Sequence, residues 1–357
     1  MSYSTSDVYI HRLTVITSDI VLYIATYRYL HSSGILNTVT RKRSNSNKTM
    51  TRSRSNSINN SDSDSNSNVD SSIIVTILVL FNGGLLLVDH VHFQYNGNMT
   101  YANHYTCFNN YILLGMLLGL LILSLDFANR DNKVMVTIMF SILILMKHLF
   151  IPLTPLFAIY LLSNYYHNYN KNIVILIMKI SQLVAIAITS LALAFLPFIL
   201  QDPANPYKQL FQIFQRLFPW GRGLLHAYWA PNIWAIYCSI DLVLSKVLKI
   251  DSNDNIHAST SGLVGDFHYR VLPSIPKSAV LLTLVVFLLP PLILIARKCD
   301  PSTLLNCAIY STYTMFMFGY HVHEKAIIIP LILLTFTITK NINNGTITIF
   351  TYHDIEY

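Results

Sequence analysis

The chain has 357 residues, 53% hydrophobic and only 11% charged, with a formal net charge of +7. A soluble domain carries about 25% charged residues, so this composition excludes one and points to an integral membrane protein. Apolar runs of helical length recur, which selects a polytopic all-α fold over a barrel, because a lone strand in lipid leaves its backbone groups unpaired. The positive surplus lies in short loops between apolar runs, the positive-inside pattern, and not in a surface for nucleic acid.

In chain order, the first predicted span is 13–30. The N-terminal MSYSTSDVYI lacks a basic start and an apolar core, so no cleaved signal peptide is expected. Residues 41–72 are a low-complexity stretch dominated by Ser and Asn. Arg41, Lys42, Arg43, Lys48, Arg52 and Arg54 fill the first half, and Asp62, Asp64 and Asp70 the second. With nothing apolar to bury, this stretch is expected to be a disordered loop, and its basic half places it in the cytosol. A nuclear-localisation reading of the basic run is the lesser alternative.

Span two, 73–88, then delivers Asp89-His90-Val91-His92-Phe93-Gln94-Tyr95-Asn96 to the lumen, where Asn98-Met99-Thr100 forms a glycosylation sequon. Span three, 111–125, returns to a charged cytosolic loop at 126–133. The run 134–162 contains Pro152 and Pro155 and is expected to form two half-spans hinged at Lys147-His148. Span 173–200 leads to a second luminal segment, 201–232. Further spans follow at 233–248, at 279–296 with Pro290-Pro291 interrupting it, and at 304–320. His321-Val322-His323-Glu324-Lys325 precedes a last apolar run, 326–338. Strict alternation would put 321–325 on the cytosolic face, whereas Arg297-Lys298 favours the opposite registration. A half-helix at the prolines would reconcile the two.

The expected organisation is therefore a luminal end and first span over 1–40 and a disordered cytosolic loop over 41–72. A transmembrane domain follows over 73–339, with luminal loops near 89–106 and 201–232, and a polar tail over 340–357. Cys107, Cys238, Cys299 and Cys307 are scattered without a CxxC pair and read as small buried apolar residues.

Three polar constellations stand at span ends. Asp89, His90, His92, Gln94 and Asn96 form the first. Ionisable groups cost about 2.5–3.5 kcal/mol each at a helix centre in a bilayer, so such a cluster at a membrane mouth implies use. Hydrogen bonding to a sugar or phosphate is the functional reading, with Phe93 and Tyr95 as stacking faces. An interfacial cap for span two is the bland one. A metal site lacks a third and fourth ligand at suitable spacing. In the second constellation Arg216 and Arg222 flank Phe218-Pro219-Trp220, with His226 just beyond. Guanidiniums there suit a phosphate or snorkel to headgroups. Tyr228 and Trp229 read first as an interfacial belt. The third is 321–325, where His323 or Lys325 could meet a phosphate, or Glu324 and Lys325 could simply neutralise each other. No glycine-rich phosphate loop, Ser-His-Asp set or HExxH helix is present. The luminal acids that can be placed are Asp7, Asp89 and Asp202, and nothing marks one of them as a base.

DHVHFQYN, RLFPWGRGLLHAYWAPNIWAIY and HVHEKAI closely resemble the endoplasmic-reticulum glucosyltransferases that use dolichyl-phosphate glucose. HAYWAPN after Gly-Arg-Gly resembles the branch that adds the second glucose, in α1,3 linkage. The resemblance runs from about residue 7 to 329, outside the Ser/Asn insert. It implies a GT-C-like multi-pass fold in the endoplasmic-reticulum membrane with a luminal active face, and no metal or other cofactor. The implied donor is dolichyl-phosphate glucose, the acceptor a monoglucosylated dolichol-diphosphate-linked oligosaccharide, and the setting membrane lipid. The reaction is an inverting displacement in which a luminal carboxylate takes the acceptor proton. His323 carries over as a donor-phosphate contact, and Arg216 and Arg222 more loosely. Segment 7–30 resembles the family's second span. The first span, most of the first luminal loop with its acidic base, and one or two C-terminal spans are therefore expected to be missing from an incomplete, weakly active chain. No catalytic residue carries over. The alternatives are the first-glucose enzyme and a non-catalytic membrane protein that binds the lipid-linked sugar.

Overall fold

A computed structural model describes residues 5–34, 71–82, 114–200, 205–217, 224–225, 232–249 and 269–343. Among these residues all regular structure is helical, as composition required. Three helices are long and apolar enough to cross a membrane: His148–Tyr169, Ile173–Ile199 and Lys277–Arg297. The chain is an integral membrane protein. It divides into two compact units, residues 1–139 with 332–357, and residues 140–331.

The first unit is built on α1 (Thr5–Ser32), α2 (Ser71–Leu80) and α3 (Leu114–Asn129). Val15, Leu22, Ala25 and Tyr29 recur at helical spacing and are buried, as are Leu117, Leu118, Leu121 and Leu125 of α3. Helices α1 and α3 pack closely. At their nearest approach Gly119 faces α1. A Cβ built there would lie 2.9 Å from Val21 Cγ1 and 3.2 Å from the Leu22 backbone nitrogen, so only hydrogen fits. The opposite side of α1 exposes Leu13, Ile16, Ile20, Ile24 and Tyr27, a lipid-facing stripe.

Asp126 departs from expectation. Instead of opening a charged loop, it lies within α3 and is completely buried. Arg28 donates from Nε to its Oδ2 at 3.0 Å, with Nη2 also 3.0 Å from that oxygen, and Arg130 donates from Nε at 2.9 Å to Oδ1. The two guanidiniums make burial of the carboxylate tolerable and let α3 run on to Asn129.

Next in the chain is α4 (Lys133–Met146). The second unit is described by a 3₁₀ turn (His148–Leu153), α5 (Thr154–Tyr169), α6 (Ile173–Ile199), α7 (Pro206–Leu217), α8 (Ile233–Val247), α9 (Lys277–Arg297) and α10 (Pro301–Phe318). A second 3₁₀ turn (Glu324–Ile327) leads into α11 (Ile328–Asn343). The break expected at Lys147-His148 is present: Lys147 is extended, and Pro155 sits in the first turn of α5, where its missing N–H costs nothing. Pro290-Pro291 does not break α9, contrary to expectation. Each proline frees only one carbonyl four residues back, those of Val286 and Phe287, and the helix runs through both. Helix α9 packs against α10 and α5. Helix α6 is predominantly apolar, interrupted by Lys179, Ser181 and Gln182, and buries only Leu176 and Leu183, which leaves most of its apolar surface to lipid.

Candidate functional site

Within the second unit, the turn at 321–325 meets Leu224, a described residue of the chain stretch that carries the second constellation. Helix α7 is amphipathic. Tyr207, Leu210, Phe211 and Phe214 are exposed at spacings of three and four, while Lys208, Gln209, Gln212 and Gln215 fill the rest. Such a helix lies in the plane of a membrane interface. Its last turn carries Arg216 by backbone position. Farther on, Leu224 and Leu225 are buried. Leu224 packs with Trp234 and Val280, and Tyr269 and Tyr320 lie against this cluster. Leu225 packs with Ala235 and Cys238. These contacts anchor the C-terminal end of the Gly-Arg-Gly-Leu-Leu stretch.

Asn232 starts α8 by accepting the Ala235 N–H on Oδ1 at 3.0 Å. One turn in, the Trp234 indole N–H donates to the Phe318 carbonyl at 3.2 Å. That carbonyl stands at the end of α10, where Gly319 turns the chain. A Cβ at Gly319 would lie 2.3 Å from the Met315 carbonyl oxygen and 2.6 Å from Val322 Cγ2, so glycine is required there.

The turn brings the His321 backbone to Leu224. His321 has φ +53, a left-handed conformation uncommon for a side-chain-bearing residue, and it is buried. Its backbone N–H donates to the Leu224 carbonyl at 2.9 Å. Val322 packs inward with Phe316 and Ala326. The rings of His321 and His323 lie 5.9 Å apart, edge to face. His323 precedes the 3₁₀ turn, whose first residues are Glu324 and Lys325. One carboxylate oxygen of Glu324, Oε2, is buried and has no hydrogen-bond partner among the described residues. Burial raises the pKa of the neighbouring Tyr320 phenol.

Asp241 was not anticipated. It is buried on α8 and accepts three backbone N–H groups, from Arg270 at 3.0 Å, Val271 at 2.9 Å and Leu272 at 2.8 Å. Tyr237 donates its hydroxyl to the Pro273 carbonyl at 2.7 Å. The strand-like segment before α9 is thereby pinned on α8. Tyr269, in the same segment, has its phenol pKa raised, first by burial and then by the neighbouring Cys238. An acid inside an apolar run was the available signal. An open groove of about 540 Å3 runs along α8, lined by Asn232, Ile236, Ile240, Val243, Leu244 and Met317.

Of the residues expected to form the site, His323 and Lys325 stand in the turn held against Leu224. The backbone of Arg216 is placed on α7. Asp89, His90, His92, Gln94, Asn96, Arg222 and His226 lie outside the described residues, as does the side chain of Arg216.

Among the described residues, the protein is an all-helical membrane protein with polar turns at helix ends. Comparison with known proteins narrows that class. The ALG6, ALG8 glycosyltransferase family matches residues 2–353, and the chain belongs to this family, in agreement with a GT-C-like fold. It is similar to dolichyl pyrophosphate Glc1Man9GlcNAc2 alpha-1,3-glucosyltransferases. With the Mus musculus protein it shares 35% identity over 282 residues, 77% of this chain and 50% of that one. With the Candida albicans protein it shares 30% over 372 residues, 95% and 53% of the two chains. With the Dictyostelium discoideum protein it shares 35% over 301 residues, 76% and 45%. The chain spans about half the length of the curated relatives it matches.

Proposed function

We propose that the chain serves transfer of glucose from dolichyl-phosphate glucose to the monoglucosylated dolichol-diphosphate-linked oligosaccharide. This is the second α1,3-glucose of N-glycan precursor assembly, added at the luminal face of the endoplasmic-reticulum membrane. The observation that carries the reading is the main-chain bond from His321 to the Leu224 carbonyl, which holds the His-Val-His-Glu-Lys turn against the Gly-Arg-Gly-Leu-Leu stretch. The printed names of the similar proteins favour the second-glucose branch.

The chemistry is a displacement at the anomeric carbon. An acceptor hydroxyl oxygen forms the new bond on the face opposite the phosphate. The bond from carbon to phosphate oxygen breaks, and its electron pair leaves with dolichyl phosphate. A carboxylate takes the hydroxyl proton. His323 and Lys325, with Arg216 and Arg222, offset the charge that grows on the leaving phosphate, the electrostatic part of catalysis. Asp89, His90, His92, Gln94, Asn96 and His226 bind sugar hydroxyls and phosphate from the other two constellations. The groove along α8 takes an isoprenoid chain, for which its aliphatic lining is suited.

The test is transfer of labelled glucose by membranes containing the chain, with glucose-free and monoglucosylated acceptors offered separately. Label on the monoglucosylated acceptor alone supports the reading. Label on the glucose-free acceptor makes the chain a first-glucose enzyme. Donor binding without transfer to either acceptor makes it a non-catalytic lipid-sugar-binding protein. In an active preparation, His323→Ala should weaken donor binding, and unchanged donor affinity would remove His323 from the phosphate site.

A further inference from the structure

Arg28 and Arg130 form a second phosphate-directed feature, in the first unit and separate in purpose from the glucosyl site. Both are docked on one buried carboxylate, Asp126. A guanidinium has five N–H donors. Arg28 donates from Nε to Asp126, with Nη2 3.0 Å from the same oxygen. Arg130 uses Nε on Asp126 and one N–H of Nη2 on the Arg28 carbonyl, the latter at 3.4 Å. Among the described residues at least three donors remain on each, and the two side chains stay 36% and 39% exposed. Two positive charges share one negative charge, so the cluster carries a net +1. Asp131, the next acid along, is bonded to Lys133.

The guanidiniums are oriented before any ligand arrives. Arg28 lies over the Phe127 ring, 5.0 Å from its centroid. Asn129 ties the ends of α1 and α3 together through Ser32, at 3.3 Å. Their depth in the membrane is legible as well. The exposed apolar stripe of α1 ends in Tyr23 and Tyr27, stacked at 6.5 Å, and Arg28 follows at once. Tyrosines mark the level where acyl chains give way to headgroups. The sequence adds Arg41, Lys42 and Arg43 shortly after α1.

We propose that Arg28 and Arg130, held by Asp126, bind the phosphate of an anionic phospholipid headgroup. A planar fork that presents paired N–H groups matches phosphate oxygens, and two forks fixed on one carboxylate keep the ordering cost low. Neutral lipids also carry a phosphate, but with a choline that the net positive cluster disfavours. The net +1 favours phosphatidylserine or phosphatidylinositol.

The whole chain would be purified from vesicles of phosphatidylcholine containing a minor share of phosphatidylserine, and retained lipid counted by native mass spectrometry. Wild type is expected to retain phosphatidylserine above its bulk share. Arg130→Gln should lower that retention roughly fivefold, the usual worth of one basic side chain at an anionic surface, and its melting temperature in pure phosphatidylcholine, expected to fall with the loss of a partner of buried Asp126, reads the structural part separately. Arg130→Lys, which keeps the charge and loses the fork, should fall between. Equal retention by wild type and Arg130→Gln overturns the proposal. So does competition by inorganic phosphate alone at matched concentration, which would make this a free-phosphate site. Should Arg130→Gln fail to fold, dicarbonyl labelling of the wild-type arginines decides: protection of Arg28 and Arg130 by phosphatidylserine but not by phosphatidylcholine supports the site, and equal labelling sinks it.

Discussion

Asp241→Ala tests the fastening of the segment before α9. The native carboxylate accepts three N–H groups at 2.8–3.0 Å. Hydrogen bonds to a charged group are worth about 1.5–3 kcal/mol each, so three sum to at least ~4.5 kcal/mol. The donors are only part-buried, and water would recover part of that value once the carboxylate is gone. About 2–3 kcal/mol of local stabilisation is therefore expected to disappear. At 1.4 kcal/mol per tenfold, that raises the opening equilibrium roughly 30- to 150-fold. Amide hydrogen exchange of Arg270, Val271 and Leu272 in micelles would read this directly, with exchange in α10 as the unaffected reference. Asp241→Asn keeps one acceptor oxygen without the charge and should fall between wild type and alanine. Unchanged protection in Asp241→Ala would refute the reasoning. An asparagine variant no better than alanine would show that charge, and not a neutral acceptor oxygen, holds the segment.

Other consequences follow from the same geometry. Gly119→Ala places a methyl 2.9 Å from Val21 Cγ1 and 3.2 Å from backbone. It should cost about 1–3 kcal/mol by overpacking and lower the melting temperature of the whole chain. Gly34, with φ +78 and no atom within 4 Å of a built Cβ, should lose only about 1 kcal/mol on Gly34→Ala, because conformation alone opposes the change. Gly319→Ala should displace the His321–Lys325 turn, lowering donor binding by membranes more than it lowers the chain's abundance. His321→Gly should relax the left-handed backbone while deleting the imidazole. Better folding yield with weaker donor binding would separate the two roles, and donor binding equal to wild type would exclude the ring from the site.

Helix positions were legible because composition alone forces them. Apolar runs in a bilayer must be helical, so the predicted spans at 13–30, 173–200 and 279–296 overlie α1, α6 and α9. The hinge at Lys147-His148 was legible because a charge, an imidazole and two prolines interrupt one run. Charge partners were not. Asp126 and Arg28 lie 98 positions apart, and sequence gives no signal that a carboxylate at the end of one run and a guanidinium at the end of another will meet. Asp126 was consequently assigned to a loop. Asp241 was passed over for a related reason: its partners are backbone N–H groups, which every residue except proline has and which no motif marks. Pro290-Pro291 misled in the other direction, because proline is tolerated more readily inside membrane helices than inside soluble ones. The meeting of Leu224 with His321 was not legible. That meeting depends on Gly319, whose close quarters with Met315 and Val322 exist only in three dimensions.

The link between residues 321 and 224 runs from main chain to main chain. Deep mutational scanning would accordingly find both positions permissive as far as this clasp is concerned, with one exception. Proline at 321 has no hydrogen to give and cannot take a positive φ. A profile that tolerates many side chains there and rejects proline outright would be the genetic signature of the clasp.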